Sequence, residues 1–527
     1  MASLGRVGDQ GSGMPSGGSS GALQRASMPY VPGIDGLRAL ALVTIVVFHL
    51  GYTWLPGGVF SVTLFFTVSG YLITSLALAE SSVSGTIDLR RFWTRRFRRL
   101  MPAALAVLTL IAIGGAVGLF EGERLRGDIV WAAGYLSNWR SVSAPTTYAD
   151  LFAGESSPVI HFWTLAIEEQ FYIVFPLVMW ALLRVRRLMV PVFAVMTVAS
   201  VALMVSTSSQ NVAYYATSSR AAELLIGVLF AFVFPATKTW GPTATRLWAG
   251  GGVVGLAVYV VLSLTIHTGD SAVYNGALPL FALVSTVMIA SVVVRGPMRT
   301  VFAWRPLVEA GKLSYSLYLL HWPVIIVLNE SRVGVDGLAL NVIRLAVTAV
   351  SAYALTRFIE TPIRQRRLIP KPRQAVAVAC AAFVVVIGIA AVVPSEPPRV
   401  LAGVDAPDQF VDFGDAPDAS TSPSASAEPD LRVRVIGGES AVVEQIAATA
   451  PNGVTIAIDD LTSSGCAIRP YAGRVDMCES LVWQMAEPGA APADVVVLVF
   501  GDAERDLLSG LIGDVVAHSS LEHETPL

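Results

Sequence analysis

The chain has 527 residues, 54% hydrophobic and 14% charged. Soluble domains run nearer a quarter charged, and the mean hydropathy here is +0.62, so a wholly soluble protein is excluded. The formal net charge is −3, and the basic residues sit in short loops between apolar runs, a pattern that speaks against nucleic-acid binding.

From the N-terminus, residues 1–30 read as a disordered cytoplasmic arm. Residues 1–28 are rich in Gly and Ser and carry no apolar core, so they are not a signal peptide. Apolar runs of spanning length then recur, about 20 residues being needed to cross a bilayer. Eleven candidate spans run roughly over 36–53, 59–79, 102–120, 161–183, 188–205, 219–235, 247–266, 276–294, 311–329, 338–358 and 374–393. The fold class expected is an α-helical polytopic membrane protein of about 10–11 transmembrane helices. Residues 31–373 form its main domain, and 374–393 add one further helix.

Loop charge sets the expected orientation. One set of loops carries Arg90, Arg91, Arg95, Arg96, Arg98 and Arg99, then Arg184, Arg186 and Arg187, with more basic residues after each later pair of spans. The alternate loops carry only Arg124, Arg126, Arg140 and Arg332. The positive-inside rule places the first set and the N-terminus in the cytoplasm. An odd number of spans then puts the tail outside. Residues 1–393 hold 30 Lys+Arg against 17 Asp+Glu, a balance of +13, whereas 394–527 hold 6 against 22, a balance of −16. Such asymmetry fits two environments.

Residues 394–431 are rich in Pro, Ser and Asp and read as a flexible linker. In 432–527, "RVRVIGG" and "DVVVLVFGD" read as buried parallel strands and "SAVVEQIAATA" as a helix, so a small extracytoplasmic α/β domain is expected. Cys466 and Cys478 lie there 12 residues apart, and an oxidising location would bridge them.

Several spans carry groups that a bilayer disfavours. Arg38 and His49 are 11 residues apart, which on a helix is an offset of about 20° and a rise of about 16 Å. They share a face, with His49 expected near mid-membrane. A snorkelling Arg and a hydrogen-bonded His would account for this helix taken alone. "IHFWTLAIEEQFYIVFP" adds Glu168 and Glu169 about two turns into an apolar helix, with His161 at its outer mouth. "SSRAAELLIG" sets Arg220 and Glu223 three apart, where they can pair. "GKLSYSLYLLHWPVI" adds Ser314, Tyr315, Tyr318 and His321 as pore or acceptor-side candidates with Arg220 and Glu223. Ionisable groups inside spans usually face a polar cavity and mark function. No metal-ligand cluster appears, because the six His are scattered and the Cys are not spaced for zinc.

The motifs "IDGLRALAL…FHLG", "LPGGVFSVTLFFTVSGYLIT", "LRRFWTRRFRRLMPA", "FWTLAIEEQFYIVFP", "SRAAELLIG", "GKLSYSLYLLHWP" and "FIETPIR" run in order from residue 33 to about 365. Together they resemble the integral-membrane acyltransferases of family 3, the O-acetylase type that modifies cell-envelope glycans. The resemblance implies acyl transfer from a cytoplasmic acyl-coenzyme A, with acetyl the expected group, to a hydroxyl of an extracytoplasmic glycan or glycolipid. The acyl-CoA is a co-substrate, and no bound cofactor is implied. Arg38 and His49 match the family's first-helix Arg and essential His. His49 is either the general base or an acylated relay, and Arg38, Glu168 and Glu169 would orient donor, acceptor or base. Arg95, Arg98 and Arg99 are the expected donor-phosphate site, since Arg binds phosphate through paired N–H donors. One departure is Thr63, where the family often has Asp.

In the tail, "IGGESAVV", "GCAIRPYAGRVDMCESLVW" and "DVVVLVFGDAERD" resemble the SGNH hydrolase-like domain often fused to these enzymes. Ser440 takes the nucleophile position, but the later Asn and the closing Asp-x-x-His motif are absent, so the domain reads as truncated or degenerate and Ser440 as inactive. A transporter or flippase of an envelope precursor is the rival class, since buried ionisable groups suit it too. A non-catalytic scaffold of envelope assembly is the other. Acyl-CoA, an envelope acceptor and the lipid bilayer are the partners expected.

Overall fold

The computed structural model describes residues 29–120, 122, 124–144, 157–394, 431–436, 456–461, 469–471, 474–476 and 495–498. The chain divides into two units at residues 403 and 404, inside the expected linker. Each unit stands by itself below.

The first unit is all helical. Its long helices are α1 (Pro32–His49), α2 (Val59–Ser84), α3 (Leu89–Ala116), α4 (Phe162–Leu182), α5 (Met189–Ser206) and α6 (Thr217–Val233). They continue with α7 (Pro242–Thr265), α8 (Leu278–Val293), α9 (Arg305–Val327), α10 (Gly337–Leu355) and α11 (Pro372–Val392). Local chemistry sets several boundaries. Asp88 caps α3 by accepting from the Arg91 N–H at 2.9 Å. Gly85, at φ +72°, ends α2 in the left-handed conformation.

Nine segments among the described residues are long and apolar enough to cross a membrane. One of them, Phe162–Ser206, is 45 residues long and contains both α4 and α5, which meet at a break where Val185 leaves the helical region (φ −132°, ψ 63°). α9 is not among the nine. Lys312, Ser314, Tyr315, Ser316, Tyr318 and His321 dilute its apolar character.

The first helix differs from its expected span. α1 runs Pro32–His49 rather than 36–53. The Leu50 N–H closes on the Val46 carbonyl at 3.0 Å, and Gly51 turns the chain at φ +81°. His49 is therefore the last residue of its helix and not near its middle.

Close helix approach depends on glycine. A Cβ on Gly70 would lie 2.0 Å from the Leu224 carbonyl oxygen, and one on Gly227 would lie 2.2 Å from that of Thr67. α2 and α6 thus pack backbone to backbone, the small-residue mode of membrane helices. Gly311 brings α9 equally near Asp35 of α1. These contacts hold α2 against α6 and α9 against α1.

In the second unit, β1 (Leu431–Ile436), β2 (Ile456–Leu461) and β5 (Val495–Leu498) form a parallel sheet in the order β2-β1-β5. Val433 is in register with Ile458 on one side and Val495 on the other. β3 (Arg469–Tyr471) and β4 (Arg474–Asp476) pair antiparallel. Ser440, Cys466, Cys478, His518, His523 and the helix expected after β1 lie outside the described residues.

Candidate active site

Five helices line a cavity of about 80 Å³ whose walls are largely apolar but carry a set of polar side chains. α1 contributes Arg38, α2 Ser69, α3 Arg96 and Arg99, α4 Thr164, Glu168 and Tyr172, and α9 Ser314, Tyr315 and Tyr318. Arg38 lies 3.6 Å from Asp35, one turn earlier. Ser69 donates to the Glu168 carboxylate, fixing it inside the cavity. The Arg96 guanidinium sits 5.1 Å from the Tyr172 ring centroid, a cation–π distance. Tyr315 lends its hydroxyl to the Leu100 carbonyl at 2.7 Å. Glu169, the next residue round α4, is not among the cavity-lining side chains.

A second and much larger cleft, about 700 Å³, opens beside the N-terminal half of α3. Arg90, Arg91, Arg95, Arg98, Arg99, Arg364 and Arg366 line it, with Asp88 and Thr94. Arg99 lines both spaces. The expected donor arginines differ in how they are held. Arg95 pairs with Glu80 at 2.8 Å and remains half-exposed. Arg98 is 3% exposed and gives its terminal N–H groups to the Ile369 and Pro370 carbonyls at 2.7 and 3.2 Å, so it clasps the segment leading into α11. Arg364 and Arg366 were not singled out from the sequence. Glu360 holds Arg364 at 3.0 Å and itself accepts from Ser316 at 3.3 Å. Glu360 closes a π-helical turn, Thr356–Glu360, a local form that recurs at functional sites.

The cavity stops short of His49. At its inner end Tyr318 and Thr164 are hydrogen-bonded hydroxyl to hydroxyl at 2.7 Å, and Tyr318 donates to the His161 carbonyl at 2.9 Å. Beyond them three buried histidines cluster. The His161 and His321 rings lie 5.3 Å apart edge to face, and those of His49 and His321 lie 5.1 Å apart and nearly parallel. The Trp322 ring meets His49 edge-on at 5.0 Å. None of these contacts follows from sequence distance, since His49 and His321 are 272 residues apart.

The hydrogen bonds assign the tautomers. His321 Nδ1 lies 2.6 Å from the Tyr318 carbonyl oxygen, which can only accept, so that nitrogen carries the proton. With one proton per ring, His321 Nε2 is an acceptor. His49 Nδ1 lies 2.8 Å from it and therefore donates, which leaves the lone pair of His49 on Nε2.

Arg220 and Glu223 are placed elsewhere. Both side chains are fully buried, joined by two hydrogen bonds of 2.6 and 3.1 Å. Rings of Tyr214, Trp163 and Phe66 surround the guanidinium at 4.8, 5.2 and 5.5 Å. Neither residue lines the cavity or the Arg-rich cleft. Thr63 is likewise fully buried, within α2. His161, Thr164, Ser69, Arg96, Tyr172 and Glu360 belong to the site or its supports but were not assigned to it from the sequence. For His161, Thr164 and Tyr172 the signal was their place beside Glu168 and Glu169 in the sequence, and for Arg96 the arginine run; Ser69 and Glu360 gave none. Among the described residues no group of His, Cys, Asp or Glu is arranged to hold a metal ion.

A multi-span helical membrane domain with an arginine-lined cleft leading toward buried histidines is the class of protein that fold and site define. Residues 31–391 match the model of the acyltransferase domain of family 3, and the chain belongs to that family. It is 36% identical over 352 residues to the O-acetyltransferase OatA of Staphylococcus aureus strain NCTC 8325 / PS 47, covering 64% of this chain and 58% of that one. The OatA of strain COL gives the same figures. The match thus spans somewhat over half the length of these curated relatives. No solved structure gives a significant match.

Proposed function

We propose that this protein is a membrane O-acetyltransferase. It would move an acetyl group from a cytoplasmic acetyl-coenzyme A to a hydroxyl of an extracytoplasmic cell-envelope glycan or glycolipid. The observation that carries the reading is Arg99, which lines both a cleft with seven arginines and the cavity whose Tyr318 and Thr164 adjoin the histidine cluster. Polyphosphate is the ligand such a cleft favours, because guanidinium groups bind phosphate oxygens through paired N–H donors. The coenzyme's phosphates would rest among Arg95, Arg99, Arg364 and Arg366, with Arg98 shaping the wall. The pantetheine arm would extend past Arg38 and Glu168 toward His49.

His49 acts as the base or as an acyl relay. As base, Nε2 takes the acceptor hydroxyl proton while the oxygen attacks the thioester carbonyl. The C–S bond breaks, the ester forms, and the proton passes to the departing thiolate. The His49 ring is then a transient imidazolium, and its Nδ1–H bond to His321 holds it in place. The route from cavity to His49 requires the Tyr318–Thr164 hydrogen bond to part. Tyr315 and Ser314 face the arm, and Glu169 supports the wall behind Glu168.

The N-terminus is cytoplasmic and the tail extracytoplasmic in this reading, on eleven crossings with α4 and α5 counted separately and α9 included. The tail would be a partial SGNH-like domain with an inactive Ser440 and a Cys466–Cys478 bridge. Loop charge supports the orientation, and the parallel β1–β5 pairing is compatible with such a domain.

The test is radiolabelled acetyl-CoA given to membranes containing the full chain. Label should appear as base-labile ester in an envelope glycan or glycolipid. Wild-type membranes that move no label, or move an envelope lipid with no donor present, would overturn the reading.

A further inference from the structure

We infer that His161 is a hydroxyl-binding residue of the transfer site, held for that task by a carbonyl that Pro323 sets free. The inference rests on the acyl-transfer reading above.

His161 is 2% exposed and immediately precedes α4. Its Nε2 lies 3.2 Å from the Leu319 carbonyl oxygen. That oxygen accepts only, so Nε2 carries the ring proton and Nδ1 carries the lone pair. Nδ1 is buried and has no hydrogen-bond partner among the described residues. An acceptor left unmade at such depth is costly, and native proteins seldom keep one without a ligand or a water for it.

The Leu319 carbonyl would ordinarily be taken. In a regular helix it accepts from the N–H four residues on, at position 323. Position 323 is proline, inside α9, and proline has no N–H to give. The vacancy is filled by the His161 ring. One backbone defect thus fixes the tautomer of a residue on another helix and turns its lone pair away from α9's backbone.

The surroundings indicate what that lone pair receives. The main-chain carbonyl of His161 accepts from Tyr318, which with Thr164 closes the cavity, and its ring lies 5.3 Å from His321, the partner of His49. His161 therefore stands between the end of the donor cavity and the basic pair. A neutral imidazole nitrogen there accepts an O–H. The ligand class is the acceptor hydroxyl, or a water in its place before the acceptor arrives. Glutamine would satisfy Leu319 equally well if anchoring were the only task.

The experiment uses membranes containing the full-length chain, acetyl-[¹⁴C]CoA, and base-labile label in the envelope polymer, with thermal melting of each purified variant. His161→Gln keeps an N–H for Leu319 and takes the acceptor away from the Nδ1 position, the amide oxygen being the one lone-pair atom left. Transfer should fall about 10–150-fold, the worth of one strong hydrogen bond in the transition state, with donor KM and melting unchanged. Pro323→Ala returns an N–H to Leu319 and displaces the His161 proton. It should be at least as stable as wild type and about tenfold slower. The double variant should be no slower than His161→Gln alone, because both changes act on one nitrogen. Wild-type rate in a folded His161→Gln protein would mean a structural water only and would overturn the inference. Additive losses in the double variant would do the same. Should His161→Gln fail to fold, an unchanged rate in Pro323→Ala overturns it. Absence of label transfer by wild type would instead remove the reading beneath it.

Discussion

Replacing His321 by Ala tests whether the histidine pair works as a unit. His321 lies outside the cavity lining and touches His49 through a 2.8 Å hydrogen bond. Its loss leaves the His49 Nδ1–H without this buried acceptor and removes the bond that orders the ring. When Nε2 of His49 takes a proton, the ring becomes charged, and a hydrogen bond to a charged group is worth about 1.5–3 kcal/mol. At 1.36 kcal/mol per tenfold change, kcat should fall about 10–150-fold. Donor KM should stay near wild type, because the arginine cleft is untouched. His49→Ala should cost more, about 10²–10⁴-fold for removal of a general base. The double variant should match His49→Ala, since His321 acts only through it. The assay is initial-rate acetyl transfer with donor concentration varied, on protein checked by thermal melting. A His321→Ala enzyme with wild-type kcat, or a double variant slower than His49→Ala by the full single-variant factor, would refute the tautomer-locked base.

Arg99→Gln should raise donor KM about 10–150-fold while leaving folding intact, because Arg99 lines both the cleft and the cavity and one charge-assisted hydrogen bond is lost; equilibrium binding of coenzyme A measures it directly. Arg220→Ala should destabilise by about 3–5 kcal/mol by stranding the fully buried Glu223, and the specific activity of the folded fraction should be unchanged, read from melting and from activity per folded molecule. Gly227→Val forces a Cβ to 2.2 Å from the Thr67 carbonyl and should cost at least about 1–3 kcal/mol by overpacking. Gly250→Ala, with nothing within 4 Å, is the matched control and should melt no lower than wild type.

Much of this protein was legible in its sequence. Apolar runs gave eleven long helices whose positions agree with α1 to α11 closely, because a helix that must satisfy every backbone group internally is written locally; the exception is α3, which begins at Leu89 rather than at 102 and carries on its first turns the arginines expected in a loop. The polar residues of α1, α4 and α9 announced themselves for the same reason, as costs that an apolar span does not bear without use. Helical periodicity also put Arg38 and His49 on one face. What the sequence did not contain is which faces meet. Arg220 and Glu223 looked like Arg38 and Glu168, yet packing encloses the first pair in aromatic rings and opens the second to a cavity. Arg95, Arg98 and Arg99 read alike, but a carboxylate holds one, two carbonyls hold another, and only the third joins both chambers. His49 needed His321 from 272 residues away, and His161 needed a carbonyl freed by Pro323. Hydrogen-bond partners and enclosure are set by side chains that converge from separate helices, so only the packed bundle decided them.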